Sequence, residues 1–136
     1  MADYNLFKGH NIQIAGKPSN YVIDDSSSEY VSLNPSEFRG VKPKLLVKEG
    51  DDVKTGSPLF CDKSNPQITW PSPGTGKVSE IVFGERRSIQ KIVIKLSEEE
   101  VSQSFSSYSP DEINDLSRKE ALSALLKGNI FPFIRQ

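Results

Sequence analysis

Three features of the sequence predict a mainly β chain closed by C-terminal helices, an α+β arrangement. Val41, Pro43, Leu45 and Val47 alternate with polar residues, the period-2 signature of a strand with one buried face. Gly-acid pairs at Gly50-Asp51 and Gly84-Glu85 each end an apolar run and lead into another. After Leu96 the chain turns polar and Ser-rich, and helix-start signals follow. The two strand–turn–strand halves form a short internal echo that predicts a quasi-twofold sandwich.

In chain order, "NIQIAG" alternates as a half-buried strand would, and "KPSNYVIDD" and "EYVSL" read as two short strands around an exposed turn, Asp24 to Ser28. "NPSEF" reads as one helical turn capped by Asn34 or Ser36. Beyond Val47 come a tight turn at Gly50-Asp51, a second at Gly56-Ser57-Pro58, the strand "LFC", a polar loop and "QITW". The dense turn cluster "PSPGTG", with Pro73 and Gly76, precedes "KVSEIVFG" and "SIQKIVIKL", which "GERR" joins into a hairpin. Ser109, Pro110 and the acids after them start one helix, and Ser117 with Glu120 forms a capping box for a second. Ala121, Leu122, Leu125 and Leu126 share one face of the second helix, and Gly128 stops it. The predicted organisation is an N-terminal β segment over residues 1–39 that packs on a barrel at 40–97, a linker at 98–109, and a helical segment at 110–136. The apolar finish "IFPFIRQ" reads as the start of a further, truncated domain.

The function classes are narrowed by composition. With 17 basic and 18 acidic residues the net charge is −1, which gives no electrostatic argument for nucleic acid. A single cysteine, Cys61, forms no internal disulfide and fits a reducing compartment. The opening "MADYNLFKGHNIQIAG" has no basic region followed by an apolar one, so no secretory signal is expected. No apolar run approaches the roughly 20 residues of a membrane-spanning helix.

Few motifs carry chemistry. His10 and Cys61, one of each, do not supply the three or four ligands of a zinc site. Nothing orients them as a nucleophilic pair, and a buried strand cysteine is the simpler reading. Gly74-Thr75-Gly76-Lys77 resembles a scrap of a phosphate loop, but a strand follows where a helix N-terminus is required. Arg86 and Arg87 sit on a predicted hairpin tip, where a solvated turn is favoured over an anion or partner contact. No catalytic or metal residue is assigned; the structural turns are Gly50, Asp51, Gly56, Pro73, Gly76 and Gly84.

The Gly-Asp-x-Val turn, Asp62-Lys63 and "SPGTGKV" together resemble a biotinyl/lipoyl-like barrel-sandwich hybrid over Gly40 to Leu96. In that family the lysine of a carrier sits on an exposed hairpin tip so that its arm can swing. Lys63 is followed by "SNPQITW", with Pro66 and no small hydrophobic residue after the lysine. A structural or salt-bridging Lys63 is therefore favoured over a modified one.

Five ordered blocks carry a more specific resemblance: "FKGHNIQIAGKPS", "VKPKLLVKEGDDVKTGSPLFCDKSNP", "SPGTGKVSEI", "GERRSIQKIVI" and "ALSALLKGNIFPFIR". Together they resemble the N-terminal part of the NqrA family, the A subunits of the bacterial sodium-translocating NADH:quinone reductases. The resemblance implies a non-catalytic, peripheral member of an oxidoreductase and sodium translocase, on the cytoplasmic side of the inner membrane. It implies docking on membrane-embedded subunits, a link to quinone access, and no cofactor held by this stretch. NADH, flavins, iron–sulfur centres and ubiquinone would belong to the complex. The C subunit of Rnf-type reductases shares the barrel and is the alternative, beside a carrier domain modified at Lys63. Phe131, Phe133 and Ile134 are expected to be buried against the rest of the polypeptide or a partner.

Overall fold

The computed structural model describes residues 15–17, 19–21 and 28–134. Among these residues seven strands form: β1 (Tyr30–Leu33), β2 (Pro43–Leu45), β3 (Asp52–Val53), β4 (Pro58–Asp62), β5 (Thr69–Pro71), β6 (Gly76–Phe83) and β7 (Ile89–Leu96). One sheet has the order β1-β7-β6-β3 and the other β2-β4-β5. Neighbouring strands in both are antiparallel.

The apolar faces of the two sheets make one core of Val53, Leu59, Phe60, Trp70, Val78, Ile81, Ile92 and Ile94. Burying each such side chain stabilises the fold by about 1.5–3 kcal/mol. The Phe60 and Trp70 rings stack 4.8 Å apart at 6°, and Phe38 tilts against Trp70 at 5.4 Å. Cys61 lies buried on β4, as its small apolar character predicts.

Alternation from Val41 to Val47 holds: odd positions are half-buried and even ones exposed. Only Pro43–Leu45 is regular strand, and Pro43 lies on a strand with a partner on one side alone, where a missing N–H costs no ladder bond. At the first Gly-acid turn, Gly50 has φ +88°, and the Asp51 carboxylate accepts from the Lys48 amide at 3.0 Å. Gly50 N–H donates to Val78 C=O at 2.8 Å, tying the turn to β6.

The second Gly-acid pair does not repeat this geometry. Gly84 has φ −95°, and the left-handed positions fall on Arg86 (φ 53°) and Arg87 (φ 58°) in a 3-10 turn, Glu85–Arg87. The echo is thus one of sequence and not of backbone, and the sheets are unequal, with four strands and three.

Residues 30–33, assigned from sequence to a separate segment, pair with β7 from Tyr30↔Lys95 to Leu33↔Ile92. Val31 and Leu33 pack against the core, so the four-stranded sheet begins before Gly40. The expected "NIQIAG" strand and Asp24–Ser28 turn lie almost wholly outside the described residues. Of "KPSNYVIDD", positions 17 and 19–21 are described and form no strand. Asn34 precedes the 3-10 turn Pro35–Glu37 without capping it; its side-chain amide donates to the Glu37 carboxylate at 2.7 Å.

The Ser-rich stretch after Leu96 is docked and not free. Thr55 N–H donates to Val101 C=O, Gln103 N–H donates to Thr55 C=O, and the Thr75 hydroxyl donates to Val101 C=O at 2.6 Å. Two helices follow, α1 (Pro110–Asp115) and α2 (Arg118–Lys127), each opened by a full capping box, Ser109 with Glu112 and Ser117 with Glu120. Two sequence expectations for α2 change. Leu122 is exposed at 41%, because the inward face runs through Ala121, Ala124 and Leu125. Gly128 has φ −77°, and the left-handed residue that ends the helix is Asn129 at φ 55°. Asparagine tolerates that region, and here its side chain is recruited by the sandwich. The Asn129 amide donates to Gly56 C=O at 3.0 Å, and its carbonyl accepts from the Thr69 hydroxyl.

Candidate functional site

A cleft of about 740 Å³ opens between residues 35–45 and the 83–90 hairpin. Its apolar lining includes Phe38, Val41, Leu45, Phe83 and Ile89. Arg39, Lys42, Lys44, Lys63, Arg86 and Arg87 also line it, and among the described residues no carboxylate does. This volume falls in the range of about 300–1,000 Å³ typical of ligand-sized pockets.

Each cation reaches the cleft for a local reason. Lys42 and Lys44 occupy the exposed positions of the alternating segment that contains β2. Lys63 is the first residue after β4, and its N–H donates to Lys42 C=O at 2.8 Å. Asp62 secures both strand ends, since one carboxylate oxygen accepts from Lys42 N–H at 3.3 Å and Ser64 N–H at 3.0 Å. Arg86 and Arg87 are carried by the left-handed turn between β6 and β7. All six cations are exposed. The ion pairs among the described residues, Lys77–Asp52 at 2.8 Å and Lys95–Glu29 at 3.3 Å, include none of them. The expected salt-bridging role of Lys63 therefore finds no partner among the described residues.

Lys63, Arg86 and Arg87 stand out in the sequence, and they meet here. Arg39, Lys42 and Lys44 do not stand out there. For Lys42 and Lys44 the readable signal is a basic residue at successive outward positions of the alternating run, and Arg39, before that run, has none. The predicted turn residues lie elsewhere. Gly50 and Asp51 make the turn before β3, and Gly56 (φ +92°) packs under Phe105. Pro73 lines a smaller cavity of about 240 Å³ with Glu98 and Glu100. At Gly76 a Cβ would stand 2.0 Å from the Lys95 carbonyl oxygen, so the close β6–β7 approach requires glycine. Gly84 leads into the Arg86-Arg87 turn.

The Lys95 ammonium is held above its ordinary value by its hydrogen bond to Glu29 and by nearby Tyr30. Glu112 and Glu120 are held below the usual carboxylate range by their hydrogen bonds to the backbone and side chains of Ser109 and Ser117. Among the described residues no three His, Cys, Asp or Glu side chains gather as metal ligands, and Cys61 is buried in the core. His10 lies outside the described residues. No helix among them is long and apolar enough to cross a membrane.

Similar proteins match most of the chain. It is 37% identical over 128 residues to the A subunit of the Na(+)-translocating NADH-quinone reductase of Neisseria meningitidis serogroup C, covering 94% of this chain and 28% of that protein. The protein of the same name from Yersinia pseudotuberculosis is 38% identical over the same shares. That of Marinomonas sp. is 35% identical over 97% of this chain and 29% of its own length. The chain thus spans under a third of these curated relatives. Residues 4–97 match the model of one domain family, a span that takes in the seven strands and the whole cationic cleft. The chain belongs to the family of NqrA N-terminal barrel-sandwich hybrid domains.

Proposed function

We propose that this chain acts within the A subunit of a Na(+)-translocating NADH-quinone reductase, as a rigid docking element that moves no electrons itself. The observation that carries the reading is its likeness to such A subunits over 94% of its length. In this reading NADH, flavins, iron–sulfur centres and ubiquinone are handled elsewhere in the complex. The donor set here suits none of the metal centres, since Cys61 is a lone buried thiol. The protein sits peripherally, on the cytoplasmic side of the inner membrane, against membrane-embedded subunits, and helps to shape the quinone's path. Ile130, Phe133 and Ile134 are exposed, Phe133 at 59%, an apolar surface that either the rest of the subunit or a partner would cover.

The test is to delete the stretch equivalent to residues 1–136 from a full-length NqrA protein expressed with the other subunits. Loss of co-purification or of NADH-driven quinone reduction is expected. Full assembly with unchanged quinone reduction would sink the reading.

A further inference from the structure

We infer that the cationic cleft receives an acidic segment of a partner polypeptide, an inference that rests on the docking role proposed above. Charge segregation is the first ground. The chain carries 17 basic and 18 acidic residues, yet among the described residues the cleft lining has six basic ones and no carboxylate. Such a patch is not a by-product of overall charge, and like charges held together favour an anionic guest.

The cleft's chemistry narrows the guest. Apolar lining residues that include half-exposed Phe83, set among the cations, suit a guest whose carboxylates are spaced around apolar side chains. A small free anion leaves those apolar side chains wet. A planar membrane surface would meet the cations but would not enter between residues 35–45 and the 83–90 hairpin. The backbone gives independent support, because Arg86 and Arg87 hold consecutive left-handed conformations where glycine would be relaxed. A strained backbone that holds two adjacent arginines at a cleft points to use of their side chains.

The test uses the assembled complex with tagged full-length NqrA protein. A version carrying Lys42→Glu, Lys44→Glu and Arg87→Glu is compared with a control carrying Lys54→Glu, Lys119→Glu and Lys127→Glu, of equal charge change outside the cleft. Association with the remaining subunits is measured at rising salt. The cleft variant is expected to bind at least about tenfold more weakly at low salt, with the control near wild type. Wild-type association should itself weaken as salt rises to ~0.5 M. Lys42→Arg, Lys44→Arg and Arg87→Lys should restore it, and melting curves confirm folding; Gln replaces Glu should the reversal unfold. A photo-crosslinker at Gln90 should capture an Asp/Glu-rich peptide of one of the other subunits. Capture of lipid, or equal behaviour of cleft and control variants, overturns the inference while leaving docking intact. A wild-type protein that fails to associate at any salt overturns both.

Discussion

Strands β4 and β7 bury Leu59, Phe60, Ile92 and Ile94 completely, whereas neither α1 nor α2 buries a single residue. The barrel is held by apolar contacts between residues far apart in sequence. The helices are held by two capping boxes, a half-buried face of α2 through Ala121, Ala124 and Leu125, and one asparagine that reaches back to the barrel. A tertiary core makes the first region cooperative and indifferent to local propensity. The second depends on a few polar contacts and should respond to small chemical changes that the barrel ignores.

The largest expected effect is on the barrel. Phe60→Ala removes a fully buried ring stacked on Trp70 and should cost about 3–5 kcal/mol, measured by denaturant unfolding. Gly76→Ala follows, because its methyl meets the Lys95 carbonyl and must part β6 from β7; about 3 kcal/mol is expected by the same assay. Asn129→Ala probes the joint. It leaves Gly56 C=O and the Thr69 hydroxyl without their partner and should cost about 1–3 kcal/mol. Hydrogen exchange should then rise in α2 well before β4, and equal rises would dissolve the contrast between the regions.

The smallest effects belong to the caps. Ser117→Ala should cost about 1 kcal/mol, visible as lost helical circular dichroism with unchanged barrel melting. The caps also set a pH response. Glu112 and Glu120 titrate below their unfolded value, so their stabilisation is present above the ordinary glutamate value of about 4.3. It is lost as pH falls through their depressed folded values. Glu112→Gln with Glu120→Gln should flatten helix loss on acidification, followed by exchange rates of the helix amides.

Legibility in the sequence divides along the same line. The Ser117–Glu120 capping box and the Ser109 N-cap can be read from the sequence, because a cap is a contact between near neighbours; that Glu112 completes a box on Ser109 is seen in the structure. The alternation at Val41–Val47 shows which face of that segment points inward. It does not show that β1 joins β7, since the pairing spans residues 30 to 95 and depends on which sheet edge is free. Sequence places the helix stop on Gly128 because glycine is the commonest left-handed residue, whereas Asn129 prevails through bonds to Gly56 and Thr69 that no local pattern reveals. The cleft is half legible: Lys63, Arg86 and Arg87 stand out singly, but only the fold brings them to Arg39, Lys42 and Lys44.

One turn links the two regions at both ends. Residues 101–103 bond to Thr55, Phe105 covers Gly56, and after both helices Asn129 returns to the Gly56 carbonyl. The helix pair is therefore a handle with both feet on one spot. Residues inserted between α1 and α2 should enlarge the handle without shifting either foot. The outgoing path at Ile130–Ile134 would keep its bearing on the barrel even where the handle itself is loose.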